Sequence, residues 1–418
     1  MNKKYLILGL GKSGESIKKY FENKNINYLA FDDNKMKEEE SFEDVDVLIK
    51  SPGIRNDERI VSDFLDKKKK IVTDLELLSE YLGGKKTICV TGTNGKSTAV
   101  TLLKSVLPDY ELVGNIGVPI FDKLDSDKNL IIECSSYMCE YISEFKPDYT
   151  ILLNIYPNHL DHHLTFSNYI LSKGKLIRNT KKIICYNYDD FYTNSLIAKV
   201  KEENTHCTYL SFSTKNPKAD LYLLDSNIYF GERYICSLLD LNPYLQAYPE
   251  NVLATILLCI AINKPCVNYK FSNFKGLEHR LELFYSNNNL KFYNDSKSTN
   301  IYALNRAIKV FKNDKVVLIC GGFLSKGKYD ESILYQNNVK EIFITGDNKN
   351  HLKKLFIESG YSEDIISLYD ELEDTVKKVK MSEEERVVLF SPGSQSFDKY
   401  NNFEERGKAF KELVFKYY

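Results

Sequence analysis

The sequence predicts an α/β protein built from parallel sheets with helices on both faces. Short apolar runs alternate with helical patterns along all 418 residues, and two glycine-rich loops each follow a strand and open a helix. No internal repeat or low-complexity linker breaks the pattern. Strands are expected at 5–8, 28–31, 47–49, 87–90, 130–132, 150–153, 183–185, 316–319, 342–344 and 387–390. Between Ser211 and Ser237 the runs become short and closely spaced, as in an antiparallel patch. Breaks at Gly83-Gly84-Lys85-Lys86 and across the turn-rich stretch 273–280 divide the chain into three units, 1–84, 85–276 and 277–418.

Composition excludes several classes. The 57 basic and 58 acidic side chains leave no surplus for a broad nucleic-acid-binding face. Nine cysteines stand singly with no Cys-x-x-Cys pair, which favours free thiols over disulfides or a zinc site. The longest strongly apolar stretch, 252–262, is too short to cross a bilayer and reads as a buried helix. Met1-Asn2-Lys3-Lys4 runs straight into the first strand, so no signal peptide is read and a soluble, cytoplasmic protein without membrane insertion is expected.

Gly9-Leu10-Gly11-Lys12-Ser13-Gly14 is a full G-x-G-x-x-G between a strand and a helix, with Asp32 and Asp33 ending the next strand where a ribose-binding acid belongs. A nicotinamide-dependent dehydrogenase is one reading. A dinucleotide needs two mononucleotide-binding halves, however, and only about 84 residues precede the second loop, so a mononucleotide head such as a UDP-sugar fits better. Ser51-Pro52-Gly53-Ile54 forms a further loop at a strand's C-terminal end.

The second loop, Thr91-Gly92-Thr93-Asn94-Gly95-Lys96-Ser97-Thr98, follows the strand 87–90. Its amides can cradle phosphate at a helix N-terminus, Lys96 can reach terminal phosphates, and Ser97 can ligate magnesium. Val90 stands where the strict phosphate-loop pattern has Gly. Two further strand ends carry chemistry. Glu133, in Ile132-Glu133-Cys134-Ser135-Ser136-Tyr137, is a natural magnesium ligand. Asn154-Ile155-Tyr156-Pro157-Asn158-His159-Leu160-Asp161-His162-His163 is a His-rich turn that reads alone as a surface loop or a zinc site.

Thr-Gly-Thr-Asn-Gly-Lys-Ser-Thr resembles the phosphate loop of the Mur ligases and folylpolyglutamate synthetases, and the likeness continues in order along the whole chain. It implies the three-domain Mur ligase architecture: a Rossmann-like N-terminal domain, a P-loop ATPase-like central domain and a Rossmann-like C-terminal domain. It places a second magnesium at His159 and a carbamylated lysine at Lys173, on the predicted helix around Tyr169–Ile177. ATP would meet Gly92, Thr93, Asn94, Gly95, Lys96, Ser97, Thr98, Asn251, Arg280 and Asp295. The UDP-borne substrate would meet Gly11, Lys12, Ser13, Asp32, Ser51, Pro52, Gly53, Asn115 and Ser135. Leu245-Gln246-Ala247-Tyr248 departs from the Gly-x-His-Asn that the family carries before Asn251, Met138 stands where Gln is usual, and Ser325 where Asp is common.

Asn294-Asp295-Ser296-Lys297-Ser298-Thr299-Asn300 matches the form carried by relatives that add D-glutamate. A dicarboxylic amino acid needs cations and donors for two carboxylates. Lys297, Thr299, Lys326 and Ser396 supply them, and Phe403 would pack on the amino acid. The implied enzyme is a monomer that uses ATP and two magnesium ions to join D-glutamate to UDP-N-acetylmuramoyl-L-alanine through an acyl phosphate, with Lys96, Glu133, His159 and Lys173 as catalytic residues. Another Mur or folylpolyglutamate ligase, the dehydrogenase, and a catalytically idle nucleotide-binding protein are the rivals.

Overall fold

Runs of fully buried residues such as Tyr5–Leu8 and Val47–Lys50 are typical of strands covered on both faces, and they assemble into parallel sheets. The computed structural model describes residues 3–32, 42–264, 271, 274, 276–287, 289–323, 333–380 and 384–418. Residues 1–238 with 249–271 form one compact unit, and residues 239–248 with 272–418 form another.

The first unit opens with a four-stranded parallel sheet of β1 (Tyr5–Leu8), β2 (Tyr28–Phe31), β3 (Val47–Lys50) and β4 (Lys70–Val72), ordered β2-β1-β3-β4. Its helices are α1 (Lys12–Lys24), α2 (Arg59–Asp66) and α3 (Asp74–Tyr81). Strand order reverses between β1 and β3, so the loops after those strands meet where such sheets bind ligands. The Ser51 hydroxyl donates to Gly9 O at 2.7 Å. A Cβ on Gly14 would lie 2.0 Å from Gly9 O, so only glycine lets α1 start this close to the turn.

A nine-stranded sheet follows. Its strands are β5 (Thr87–Thr91), β6 (Tyr110–Gly114), β7 (Asn129–Glu133), β8 (Tyr149–Leu152), β9 (Ile183–Asn187), β10 (Thr208–Ser213), β11 (Leu221–Leu224), β12 (Asn227–Phe230) and β13 (Arg233–Ser237). The order is β13-β12-β11-β10-β9-β8-β5-β7-β6. Pairing is parallel from β6 to β11 and antiparallel through β11-β12-β13, so the expected antiparallel patch begins one strand later than Ser211. The helices here are α4 (Lys96–Val106), α5 (Leu160–His163), α6 (Phe166–Arg178) and α7 (Phe191–Glu203). The short α8 (Pro243–Ala247) belongs to the second unit, and the apolar α9 (Pro249–Ala261) returns to the first, where it packs on α4, β9 and β10.

The first two sheets share one core. Ile17, Tyr20 and Phe21 of α1 and Leu77 of α3 cluster with Ile120, Phe121 and Leu124, and the Tyr20 and Phe121 rings meet edge-on at 5.3 Å. Polar contacts fix the seam. The buried Glu76 carboxylate accepts from the backbone N–H groups of Ser143, Glu144 and Phe145 at 2.9–3.1 Å.

The second unit holds a six-stranded sheet of β14 (Glu282–Ser286), β15 (Leu290–Asn294), β16 (Lys315–Gly321), β17 (Val339–Thr345), β18 (Ile366–Leu368) and β19 (Arg386–Phe390). The order is β14-β15-β19-β16-β17-β18, parallel except for the β14-β15 hairpin. Helices α10 (Ile301–Val310), α11 (Lys349–Glu358), α12 (Leu372–Lys378) and α13 (Phe403–Tyr417) accompany it. The α8 segment packs on α10, and its Tyr244 ring abuts Gly276. Among the described residues no helix is long and apolar enough to cross a membrane, and the eight described cysteines are buried and form no disulfide.

Replacing Glu76 with Ala removes a charged acceptor from three backbone amides, that of Phe145 buried. The expected loss is about 3 kcal/mol, read as a lowered urea midpoint for the first unit's transition.

Candidate active site

Residues after β5 turn sharply into α4. Gly95 at φ 87° opens the helix, and a Cβ there would lie 2.5 Å from Asn251 Oδ1, so Asn251 is seated directly against the loop. Asn154, just past β8, clamps the other side. Its Oδ1 accepts from Thr93 N–H at 3.1 Å and Asn94 N–H at 2.8 Å, its main-chain oxygen accepts from Thr93 N–H at 3.0 Å, and its Nδ2 donates to Asn94 O at 3.2 Å. The Thr93 hydroxyl lies 2.9 Å from Tyr169 OH and accepts from Tyr156 N–H at 2.9 Å. Lys96 Nζ donates to Gly92 O and Thr93 O at 2.9 and 2.8 Å, within the loop it would serve. Ser97 and Thr98 occupy the first turn of α4, Thr98 buried, where the helix dipole favours an anion.

Glu133 ends β7, the strand beside β5, in register with Val90. Its side chain is buried. Oε1 accepts from Asn115 Nδ2 at 2.9 Å, and Oε2 has no partner. An ionised oxygen held out of water without a donor is costly, and a divalent cation would satisfy it. Lys173 of α6 is buried on the same strand ends. Its Nζ donates to Thr91 Oγ1 at 3.2 Å and Gly92 O at 3.1 Å, and lies 4.9 Å from the Tyr169 ring centre. Burial, with the Lys96 charge adding to it, lowers its pKa to about 7. His159 sits exposed in the left-handed region at φ 52°, its ring 5.0 Å from that of Tyr137.

On the first sheet Gly9, at φ 89°, and Ser51 join the two loops, and Asp32 directly follows β2, with its neighbour Asp33 outside the described residues. Gly11 faces open space, Lys12 is exposed, and Ser13 bonds to the carboxyl of the buried Asp74, which burial raises to about 6. Pro52 and Gly53 lie in the turn after β3. Asn115 is exposed but its amide holds Glu133, and Ser135 Oγ accepts from Met138 N–H at 3.3 Å.

The second unit gathers another set. Lys297 Nζ lies 4.1 Å above the Phe403 ring centre. Asp295 is buried, and its carboxylate accepts from Ser391 Oγ at 2.8 Å and Leu281 N–H at 3.2 Å. Burial raises its pKa to about 7, against those hydrogen bonds and the charges of Arg280 and Arg406. Arg406, also buried, donates to Ser296 Oγ, Ser296 O and Gln395 O at 2.8–3.1 Å. Ser396 is buried beside Gln395, Thr299 lies half-buried before α10, and Lys326 and Ser325 fall outside the described residues.

The Mur ligase middle domain family matches residues 90–238. The UDP-N-acetylmuramoylalanine–D-glutamate ligase of Thermoanaerobacter sp. strain X514 is 33% identical, covering 99% of this chain and 98% of its own. That of Caldanaerobacter subterraneus subsp. tengcongensis is 31% identical over the same shares. The chain belongs to the UDP-N-acetylmuramoylalanine–D-glutamate ligase family. Solved structures share the fold at lower identity. The UDP-N-acetylmuramate–alanine ligase of Thermotoga maritima matches at TM-score 0.62 and 18% identity, covering 99% of both chains. The MurF ligase of the same organism in complex with ADP matches at TM-score 0.57 and 16% identity, covering 99% and 97%.

Family membership disposes of the dehydrogenase reading and fits the three-domain Mur ligase architecture expected from the sequence. Several residues escaped sequence reasoning. Asn154 stood in a quoted motif, but its role as clamp needs the β5-β8 neighbourhood to be seen. Tyr169, Asp74, Ser391 and Arg406 act through partners far away in sequence. The side chain of Met138, which stands where Gln is usual, is buried in the core shared by the first two sheets, and its carbonyl accepts from Thr73 Oγ1 at 2.7 Å.

Asn154→Ala removes the acceptor for two loop amides. Loss of about 1–2 kcal/mol, roughly a 5- to 30-fold rise in the ADP dissociation constant, is expected by titration calorimetry.

Proposed function

We propose that this chain joins D-glutamate to UDP-N-acetylmuramoyl-L-alanine with hydrolysis of ATP to ADP, in peptidoglycan precursor synthesis in the cytoplasm, acting as a monomer. The near-full-length similarity to ligases of that name supports the substrates. One structural observation carries the chemistry: a buried carboxylate with an unpartnered oxygen, Glu133, stands beside a phosphate loop that holds a lysine.

In this reading residues 1–84 take the UDP moiety, 85–276 the ATP and 277–418 the amino acid. Ser97 and Glu133 would hold one magnesium ion, and His159 with Lys173 a second. Magnesium supplies positive charge between two anions that otherwise repel. Lys96 aids that neutralisation at the terminal phosphates. An oxygen of the alanyl carboxylate attacks the γ-phosphorus, the bond to the β–γ bridging oxygen breaks, and ADP leaves. The amine of D-glutamate, held by Lys297, Thr299, Lys326 and Ser396 against Phe403, attacks the acyl carbon. Phosphate departs, and the nitrogen loses a proton. Asn251 and Arg280 serve ATP, as does Asp295 by holding the segment that carries Arg280.

Lys173 is suited to one further task. An amine with a pKa of about 7 is about half uncharged at pH 7, and that form adds CO2 to give a carbamate and a proton, which turns a cation into an oxygen ligand. A lowered pKa means that the reactive form is present above about pH 7 and lost below it. With carbon-13 bicarbonate, a carbamate resonance is expected at pH 8, fading below pH 7 and missing in Lys173→Ala. A wild-type spectrum without it removes the carbamate. Lys173→Ala should also lose activity severely and recover part of it with small carboxylates.

The reaction is tested by phosphate release from ATP with UDP-N-acetylmuramoyl-L-alanine and D-Glu, L-Glu, D-Ala or meso-diaminopimelate in parallel. Release with D-Glu alone supports the assignment. Release only with another amino acid overturns the substrate and keeps the ligase.

A further inference from the structure

The His-rich turn contains more than His159. His162 and His163, on α5, turn toward Glu140, which lies in the loop after β7. His162 Nε2 lies 2.6 Å and His163 Nδ1 3.4 Å from the same oxygen, Glu140 Oε1. One donor atom from each of the three residues lies within 4.8 Å of the others. Ligands about 2.1 Å from a tetrahedral zinc ion stand roughly 3.4 Å apart, so small shifts bring these atoms onto such a shell.

Surrounding contacts orient the donors as metal sites require. The other nitrogen of His163, Nε2, pairs with Ser136 Oγ at 2.9 Å. Lys50, its side chain fully buried, holds the opposite oxygen Glu140 Oε2 at 3.5 Å, and this leaves Oε1 toward the imidazoles. Asn56 Nδ2 reaches Oε1 at 3.5 Å. A cavity of about 420 Å³ opens on the cluster, lined also by Arg55, Leu171 and Lys175, and provides entry and room for a fourth ligand.

We propose that Glu140, His162 and His163 form a binding site for one transition-metal ion of the zinc class, separate from the magnesium positions. Two imidazoles and one carboxylate select borderline metals over magnesium, which prefers oxygen. An ion here would tie the loop after β7 to the turn that carries His159.

The test uses full-length, metal-stripped protein in excess Mg2+ and ADP, titrated with Co2+. Visible absorption reports coordination, and mass spectrometry after gel filtration reports bound metal per chain. One equivalent with a four-coordinate spectrum is expected. It should persist in His159→Gln, disappear in His162→Gln and in Glu140→Gln, and weaken about tenfold in Ser136→Ala. His162→Cys, which keeps a ligand, should bind Co2+ and add a thiolate charge-transfer band, so that loss in the Gln variants cannot be laid to misfolding. Wild-type protein that binds no Co2+ beside Mg2+ overturns the proposal. So does binding that survives His162→Gln and His163→Gln, or that only His159→Gln abolishes.

Discussion

Everything in the first unit is arranged around one electrostatic problem: a carboxylate, Glu133, is buried with only half of its hydrogen-bonding capacity met by protein. Such a group survives in a core only if the fold is stable enough to bear it or if something cationic completes it. Two lysines stand near, and neither donates to the open oxygen. Lys96 is engaged with the carbonyls of its own loop, and Lys173 with Thr91 and Gly92, its pKa lowered by burial. The ligand the carboxylate lacks is the kind of ion that a phosphate-binding loop brings with it.

Topology makes this arrangement possible. Parallel strands deliver their C-terminal ends to one edge of the sheet, so β5, β7 and β8 present Thr91, Glu133 and Asn154 side by side although the residues are spread over more than sixty positions. Asn154 then holds the loop amides in place before any anion arrives, which reduces the ordering cost of binding. Glu76 and the aromatic cluster around Phe121 do the same at larger scale, making the first sheet and the central sheet one body.

Much of this was legible in the sequence for a physical reason. Apolar runs and period-3.6 patterns report burial directly, so the ten expected strands and the apolar helix that carries Asn251 all appear. Glycine loops are legible because they need a residue type: Gly14 and Gly95 sit where a Cβ would strike Gly9 O or Asn251. What stayed hidden depends on distant partners. Asn154 looks like any loop asparagine until β8 is placed beside β5. Arg406 looks like a solvated helix residue until its donors are seen on Ser296 and Gln395. Short strands such as Lys70–Val72 and Ile366–Leu368 carry too few residues for a period, and α8 joins the second unit although its neighbours in sequence belong to the first.

The claim on which the rest depends is that the strand-end crevice activates a carboxylate by phosphoryl transfer. It is tested most directly by labelling the alanyl carboxylate of UDP-N-acetylmuramoyl-L-alanine with oxygen-18 and analysing the phosphate released during turnover with ATP and D-glutamate. The expected result is one labelled oxygen carried into each phosphate. Phosphate free of label, with amide formed, would contradict it.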